Sequence, residues 1–434
     1  MGQNIGVIGA GPMGLAVAYE LLKQGHVVTL YEADHVVGGM SASFDFSGIR
    51  IERYYHFICT ADTPLFNLLK ELGLSEALTW KRTKMGYFFK GHLNDWGNPK
   101  ALLTFKGAGL IPKIRYGLHA FMSVKRSKWS DLDKKKATNW IQSWIGEEAY
   151  RIWWKNLFDL KFYDYADNLS AAWIWTRIKR VGSSRYNLFS EKLGYLENGT
   201  ETLLNALRIK IEQSGGTIRL SSPARRVIIE GNKVKGVEIE GTFVPHDVII
   251  STVPAPYVNS LMPDLPEEVA LKFSALKNIA VVCVIVKLRR QVTSNFWLNV
   301  NDHRMDIPGI VEYTNLRSMK EHIVYIPFYM PGEHAKYMDS DSVFAEKAKR
   351  YLRIINSSLE DNDFLDIHVS RYRYAQPICG PEYLDKLPPV ALPVKGLYVA
   401  DTSYYYPEDR GISESIRFAG EIVSRIGKVH TPNA

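Results

Sequence analysis

The chain has 434 residues, 46% of them apolar, which is long enough for two domains with separate or interleaved cores. No apolar run approaches the roughly 18–20 residues that span a bilayer, and an odd number of scattered cysteines argues against a disulfide framework and for a reducing cytoplasm. The net charge of +8 accompanies no recognised nucleic-acid-binding module, and no Cys or His pair has metal-site spacing, so we expect neither nucleic acid nor a metal as a partner.

The first feature in chain order is a βαβ pattern. Residues of β type over 4–8 lead into a GxGxxG run, an amphipathic stretch follows over 15–23, and a second strand over 27–31 ends at an acid. The residues predicted to hold a dinucleotide here are Gly9, Gly11, Pro12, Met13, Gly14, Glu32 and Ala33.

The spacing of these residues gives each a physical role. Gly9 makes the tight turn, Gly11 lets the backbone approach a pyrophosphate, and Gly14 allows close packing of helix on strand. The helix N-terminus offers partial positive charge to the phosphates. Glu32, 18 residues after Gly14, is placed to bind the ribose hydroxyls of an adenosine. The pattern therefore predicts dinucleotide binding, and by itself it does not choose between NAD and FAD.

The next segments add a second glycine turn, a strand and a helix. Gly38 and Gly39 are followed by Met40, and the alternation over 48–58 predicts a half-buried strand that carries His56. A cap residue followed by a threonine and a proline at 62–64 predicts a helix that ends near residue 72.

The region 75–190 is rich in aromatic residues and is predicted to be mostly helical. Within it, residues 101–136 carry nine Lys or Arg against two acids, with apolar and aromatic residues between them. Three interpretations stay open, namely a solvated charged face, a surface attracted to anionic lipid headgroups, and contact with a phosphate-bearing substrate. On the second interpretation, the protein is cytoplasmic and peripheral on the inner face of a membrane.

A second α/β pattern follows. It comprises a helix over 200–213 and strands over 217–220, 226–230, 234–240 and 248–252. The apolar run over 278–288 predicts a buried strand of a different sheet, and a strand over 396–400 and an amphipathic helix over 413–426 come last.

In this order the motifs resemble those of the flavoprotein amine oxidases and their protoporphyrinogen-oxidase-like and desaturase-like relatives. The segments that carry the resemblance are GAGPMG at 9–14, the glycine pair at 38–39, NGTETL at 198–203, DVIISTVP at 247–254, GLYVAD at 396–401 and GISESI at 411–416. The resemblance covers nearly the whole chain and implies FAD as the resident dinucleotide.

The resemblance also implies an α/β fold in which a Rossmann-type FAD-binding domain is interleaved with an α+β substrate domain. We predict that residues 1–75, 190–270 and 385–434 form the FAD-binding domain. Residues 76–189 and 271–384 are then the substrate-binding domain, which includes the helical, aromatic-rich basic region.

Further site residues are implied by the same resemblance. Asp401 would accept a ribityl hydroxyl, Val227 would contact the adenine through its backbone, and the N–H groups that begin the last helix would face the pyrimidine end of the flavin. The implied FAD contacts beyond the first motif are Gly38, Gly39, Met40, Val227, Asp401, Gly411, Ile412 and Ser413. The chain departs from the family pattern at Met40, where amine oxidases usually carry arginine, and it has no cysteine near the last motif to attach the flavin covalently.

The leading hypothesis is an FAD-dependent oxidoreductase that accepts a hydride at flavin N5 from an apolar or ring-bearing small molecule. The electron acceptor is left open between oxygen, a quinone and a carrier protein. The candidate catalytic residues are His56, whose charge state is adjustable near neutral pH, Tyr405, which would wall the flavin, and Arg180. One alternative is a redox-neutral enzyme similar to UDP-galactopyranose mutases, for which Arg177, Arg180 and Arg185 are the candidates to hold a diphosphate. The other is a non-catalytic flavin-fold binding subunit.

Overall fold

A computed structural model describes residues 2–187 and 190–426 of the chain. Its strands, in chain order, are β1 (Asn4–Ile8), β2 (Val27–Tyr31), β3 (Ser43–Phe46), β4 (Ile49–Glu52), β5 (Leu78–Thr83), β6 (Met85–Phe89), β7 (His92–Trp96), β8 (Arg185–Asn187), β9 (Ser190–Leu196), β10 (Thr217–Arg219), β11 (Ala224–Glu230), β12 (Lys233–Ile239), β13 (Thr242–Pro245), β14 (Val248–Ser251), β15 (Asn278–Leu288), β16 (Trp297–Asn301), β17 (Gly309–Glu312), β18 (His322–Met330), β19 (Phe364–Pro377) and β20 (Leu397–Val399). The α-helices are α1 (Pro12–Lys23), α2 (Thr63–Glu71), α3 (Pro99–Thr104), α4 (Leu110–Lys125), α5 (Ser130–Asp133), α6 (Ala137–Ile145), α7 (Glu147–Tyr150), α8 (Asn156–Phe162), α9 (Ala171–Ser183), α10 (Glu201–Gln213), α11 (Val258–Leu261), α12 (Glu267–Ala275), α13 (Asp341–Ile355), α14 (Tyr383–Lys386) and α15 (Ile412–Ser424). Within 2–187 and 190–426, none of these helices combines the length and the apolar character that crossing a bilayer requires.

A five-stranded parallel sheet forms the first layer, in the order β10-β2-β1-β14-β20. Its strands come from the three segments that the sequence assigns to the FAD-binding domain. Helix α1 packs between this sheet, α10 and α15, and the apolar side chains of these elements share one core. Because the carboxyl ends of parallel strands point the same way, the loops that follow β1, β2, β14 and β20 meet at one edge.

The second layer is a seven-stranded sheet in the order β19-β15-β18-β17-β16-β6-β7, antiparallel throughout except between β16 and β6. Strand β15 is buried at every position after Asn278, which is what an uninterrupted apolar run predicts for a strand covered on both faces. Helices α8 and α13 pack against this sheet. The α/β fold with parallel strands is therefore confirmed.

Two local predictions were wrong. The strand predicted over 48–58 is confined to β4, because residues 53–57 leave the ladder and line a cavity. The beginning of the region predicted as helical forms β5, β6 and β7, because β5 pairs with β9 and β6 pairs with β16. Strand β5 lies in the predicted substrate-binding segment 76–189, and its partner β9 lies in the predicted FAD-binding segment that begins at 190. The domain boundaries at 76 and 190 stay predictions.

Candidate functional site

A cavity of about 1070 Å³ lies where the loops after β1, β2 and β14 meet the seven-stranded sheet. The crevice beyond the carboxyl ends of parallel strands is the usual ligand site of such sheets. Glycine-rich backbone forms one part of its wall, and aromatic side chains form another. The aromatic residues that line it are Tyr31, Tyr54, Tyr55, Phe57, Tyr195, Tyr257, Trp297, Tyr313, Tyr329, Tyr372, Tyr374 and Tyr405.

The glycine-rich part is open backbone at a helix N-terminus. Gly9 has a φ of +100°, so the chain turns sharply after β1. Gly11 is the N-cap of α1, no side chain caps this helix end, and a Cβ built on Gly11 would meet no atom within 4 Å. A Cβ on Gly39 would lie 3.6 Å from the Cα of Gly11, so the two glycine turns face each other across a narrow gap. Pro12, Met13 and Met40 line the same wall.

Glu32 closes the adenosine end of this wall at the tip of β2. Its Oε2 accepts a hydrogen bond from the N–H of Ala10 at 2.7 Å, and its Oε1 accepts one from the N–H of Asp34 at 2.9 Å. A carboxylate oxygen has two lone pairs, so each keeps acceptor capacity for a ligand hydroxyl. Glu32 and Ala33 both line the cavity.

The other end of the cavity is the N-terminus of α15. Gly411, Ile412 and Ser413 line it, and no side chain caps the helix. The Oγ of Ser413 is buried and has no hydrogen-bond partner among the described residues. Asp401 fixes the loop beside it, since its Oδ2 accepts from Ala255 N at 2.7 Å and its Oδ1 from Ser403 N at 2.9 Å. Burial raises the pKa of Asp401.

Three predicted cofactor residues lie off the cavity wall. Val227 is fully buried inside β11, opposite Val237 of β12, and the segment 223–225, where the chain enters β11, lines the cavity instead. Gly14 and Gly38 instead allow the close packing behind the glycine-rich wall, which we call the glycine cradle. A Cβ on Gly14 would lie 1.9 Å from the carbonyl oxygen of Gly9, and one on Gly38 would lie 2.6 Å from Leu204.

His56 lines the cavity. Its imidazole does not, however, change its charge near neutral pH. Burial, together with the positive charges of Arg410 and Arg180, lowers its pKa to about 4. Its Nε2 lies 3.2 Å from Ser41 Oγ, and its Nδ1 has no partner among the described residues. The ring is therefore a neutral imidazole at physiological pH, with one nitrogen free to bond to a ligand.

We expect the NMR signal of His56 in protein labelled with ¹³C-histidine to keep its neutral position down to about pH 5, because its pKa is about 4. The variant His56→Gln identifies the signal. The unfolded-state pKa is about 6.5, so unfolding takes up a proton between these values and wild-type stability falls relative to His56→Gln as pH drops from 6.5. A titration midpoint near 6.5 in the folded protein would contradict this picture.

The other two catalytic candidates also reach the cavity wall, where each is held by a partner. Arg180 forms an ion pair with Asp62, with Nη2 3.0 Å from Oδ2. Tyr405 donates a hydrogen bond to Ser415 Oγ at 2.8 Å. Tyr404 and Tyr406 pack elsewhere, since they are not part of the wall. The roles of His56, Tyr405 and Arg180 in catalysis stay predictions.

Of the charged residues on the cavity wall, Lys161, Asp409 and Arg410 were not among the predicted site residues. Asp409 and Arg410 lie in the segment between the tyrosines and the last helix, whose acids and arginine were a usable signal. The sequence around Lys161 contained no such signal, because one lysine in an amphipathic helix is usually at the surface. Within 2–187 and 190–426, no group of three His, Cys, Asp or Glu side chains could hold a metal ion.

FAD fits the residues of this cavity. Gly11 and Gly39 leave room beside an uncapped helix for a pyrophosphate, and Glu32 has acceptors for a ribose. At the far end, the uncapped α15 and the orphaned hydroxyl of Ser413 offer donors to a polar ring edge. The fold and the cavity together define a flavin-dinucleotide-binding protein.

The comparisons with known proteins agree with this class. The family described as flavin containing amine oxidoreductase matches residues 14–408, and the chain belongs to that family. FAD is the cofactor that this membership implies. A zeta-carotene desaturase from Capsicum annuum is 26% identical over 327 residues, which is 66% of this chain and 54% of the desaturase, so the chain spans about half of that relative's length.

Solved structures show the same fold. A protein from Exiguobacterium sp. 255-15 assigned as a protoporphyrinogen oxidase superposes with a TM-score of 0.75 at 17% identity, covering 98% of this chain and 99% of the other. Reduced UDP-galactopyranose mutase superposes with a TM-score of 0.75 at 15% identity, covering 98% and 95%. At these identities the likeness concerns the fold alone.

Proposed function

We propose that this chain is an FAD-dependent oxidoreductase that takes a hydride from an apolar or ring-bearing small molecule. The observation that supports it is the aromatic wall, which lines the same cavity as the glycine cradle and the start of α15. Walls built largely of aromatic and aliphatic side chains are typical of sites that take apolar or ring-bearing ligands. The desaturase relative carries a carotene in its name, which agrees with such a substrate.

Bound FAD supplies a hydride acceptor at its N5 atom. The aromatic residues would exclude water and orient the substrate against the flavin. The unsatisfied N–H groups at the N-terminus of α15 would stabilise negative charge on the ring. His56, neutral and with a free Nδ1, would orient a polar group of the substrate by a hydrogen bond.

Steady-state turnover of the holoenzyme tests this function. Candidate substrates are offered with oxygen or a quinone as acceptor, and we expect substrate loss and acceptor reduction to proceed in equal amounts. Activity that needs prior reduction of the flavin and consumes no acceptor would contradict the proposal and support a mutase-like reaction. An FAD-loaded protein without turnover on any compound would contradict it in favour of a binding subunit.

We propose in addition that α4 places the enzyme on a membrane surface. The outer face of this helix is apolar, and its buried residues include Lys113, His119 and Ser123, the reverse of an ordinary surface helix. Its exposed large apolar residues are Leu110, Ile111, Ile114, Leu118, Phe121 and Met122. These positions share one helix face, and contiguous apolar surface of this kind marks a site of contact.

The charges around α4 favour an anionic bilayer as its partner. Lys106 precedes the helix, Lys125 ends it, and Arg126 and Lys128 follow it. An apolar helix face rimmed by basic side chains is typical of helices that lie in the membrane interface, where each basic residue is attracted to anionic headgroups. This supports the second interpretation of the basic region 101–136.

Replacing Ile111, Ile114 and Phe121 together by serine is expected to weaken binding to vesicles that contain anionic lipid by about 10- to 100-fold, because three inserted apolar side chains are lost. Vesicle flotation measures the bound fraction, and binding of the wild type should fall as salt rises. The control replaces Phe243, Leu271 and Met338, which are equally exposed on other surfaces. Equal losses in both variants, or no loss in either, would contradict α4 as the docking face.

A further inference from the structure

Four cationic side chains gather at one part of the cavity and its immediate surroundings. Lys161 lies on α8, Arg177 and Arg180 lie on α9, and Arg410 precedes α15. Two carboxylates accompany them. Asp62 pairs with Arg180 at 3.0 Å, and Asp409 pairs with Arg177 at 2.7 Å. Two positive charges therefore remain without a carboxylate of their own.

The two unmatched cations are Lys161 and Arg410, and both line the cavity. Neither has a carboxylate within 4 Å in the described part of the chain. The ammonium of Lys161 lies 5.2 Å from the ring centre of Tyr329 and 5.5 Å from that of Phe162, and it has no hydrogen bond there. Arg410 donates through Nη1 to the carbonyl of Ala375, which leaves its other donors available.

The surroundings add donors and remove water. Arg177 has a buried Nε and a buried Nη1 without any partner among the described residues. The hydroxyls of Tyr55 and Tyr329, both on the cavity wall, make no hydrogen bond within 2–187 and 190–426. Burial, together with the positive charges of Arg177 and Arg410, lowers the pKa of Lys161 to about 7. Charge concentrated in this way among aromatic rings is costly unless an anion completes it.

Lys161 and Arg410 reach the cavity from different layers of the fold. Helix α8, which carries Lys161, packs against β18 and β16 of the seven-stranded sheet. The glycine cradle with Gly11 belongs to the parallel sheet. Lys161 is therefore carried by a different layer from the one that offers a pyrophosphate site, whereas Arg410 precedes α15, which belongs to the layer of the parallel sheet.

We propose that Lys161 and Arg410 bind an oxyanion, a phosphate or a carboxylate, carried by the substrate. The substrate is then an amphiphile whose apolar chain or ring lies along the aromatic wall and whose anionic group lies between these two cations. Guanidinium and ammonium groups are the usual partners of such oxyanions in proteins. The proposal rests on the proposed oxidoreductase function and names the substrate class.

Matched ligand pairs test the subsite on the FAD-loaded protein. Farnesyl phosphate is compared with farnesol, dodecanoate with dodecanol, and inorganic phosphate alone is a third probe, with dissociation constants taken from the perturbation of the flavin spectrum or from calorimetry. We expect at least one anion to bind about 10- to 100-fold more tightly than its alcohol, as for a hydrogen-bonded charge. The pair with the larger ratio of anion affinity to alcohol affinity shows whether the subsite prefers a phosphate or a carboxylate. Inorganic phosphate should bind more weakly than the amphiphile.

Lys161→Gln is expected to lower that ratio about tenfold, and Lys155→Gln is the matched control. Lys155 immediately precedes α8, is half exposed and pairs with Asp159 at 2.7 Å. If Lys161→Gln does not fold, Arg410→Gln gives the same comparison. A wild-type ratio near one for both pairs, or a ratio unchanged in the variant, overturns the subsite.

Two further readouts separate this proposal from others. A changed flavin reduction potential with an unchanged ligand ratio would assign Lys161 to the flavin and overturn the proposal. Tight, Lys161-dependent binding of an anion that never reduces the flavin would support the subsite and contradict the oxidoreductase function. The two proposals therefore fail by different measurements.

Discussion

Gly11→Val is expected to lose FAD while the protein keeps its fold. A Cβ at Gly11 meets no atom within 4 Å, and its φ of −67° suits any residue, so valine adds no strain. Its side chain would instead fill the space beside the uncapped N-terminus of α1, where a pyrophosphate binds. We expect FAD affinity to fall by at least about 100-fold, or about 3 kcal/mol. The ratio of FAD to protein after purification, and titration of the apoprotein with FAD, measure it.

Two other glycines serve as controls for this result. Gly420 in α15 also has open space around a built Cβ, so Gly420→Ala should keep both fold and FAD. Gly14→Ala should lower Tm as well as FAD binding, because its Cβ would lie 1.9 Å from the Gly9 carbonyl oxygen. If Gly11→Val kept a full complement of FAD, the cradle would not be at this turn.

Asp409→Asn is expected to lower the free energy of unfolding by about 2–4 kcal/mol, since breaking a largely buried ion pair leaves charge uncompensated. Asp409 lies 2.7 Å from Arg177, and the two side chains are only 26% and 17% exposed. Burial alone would raise the pKa of Asp409, but Arg177, Lys161 and Arg410 hold it well below its usual range. Urea unfolding of the apoprotein at pH 7 measures the loss.

The matched control is Asp264→Asn, which breaks a pair with Arg226 at the same 2.7 Å but at the surface, with 39% and 47% exposure. Its expected cost is about 0.2–1 kcal/mol. A carboxylate whose folded-state pKa is depressed stabilises above its unfolded pKa of about 4 and loses that effect as pH falls. The difference between wild type and Asp409→Asn should therefore shrink below pH 4. Equal costs for the two variants at pH 7 would contradict a charge cluster at the cavity.

The parts of the fold that the sequence predicted are those governed by local rules. Gly9 and Gly11 stand where a sharp turn and a close backbone approach exclude other residues. The apolar run of β15, rich in Val and Ile, is typical of a strand covered on both faces, and its predicted bounds of 278–288 are those of the structure. In both cases the physical reason for the local structure lies within one short segment of the sequence.

The parts that the sequence missed depend on tertiary contacts. Arg177 and Asp409 are 232 positions apart, so no spacing rule brings them together. The neutrality of His56 comes from burial, which its own segment does not reveal. The sequence showed the charge around α4 but not that its apolar side faces outward, because helical periodicity gives a face and not its direction.

Anaerobic mixing of the FAD-loaded protein with anionic amphiphiles and their neutral alcohols tests the central claim most directly. The account predicts that a bound anionic amphiphile bleaches the absorption of oxidised flavin, and that an added acceptor restores the absorption. The wild-type flavin should respond to lower concentrations of the anion than of its alcohol. Flavin that stays oxidised while these compounds bind to the cavity would contradict the account.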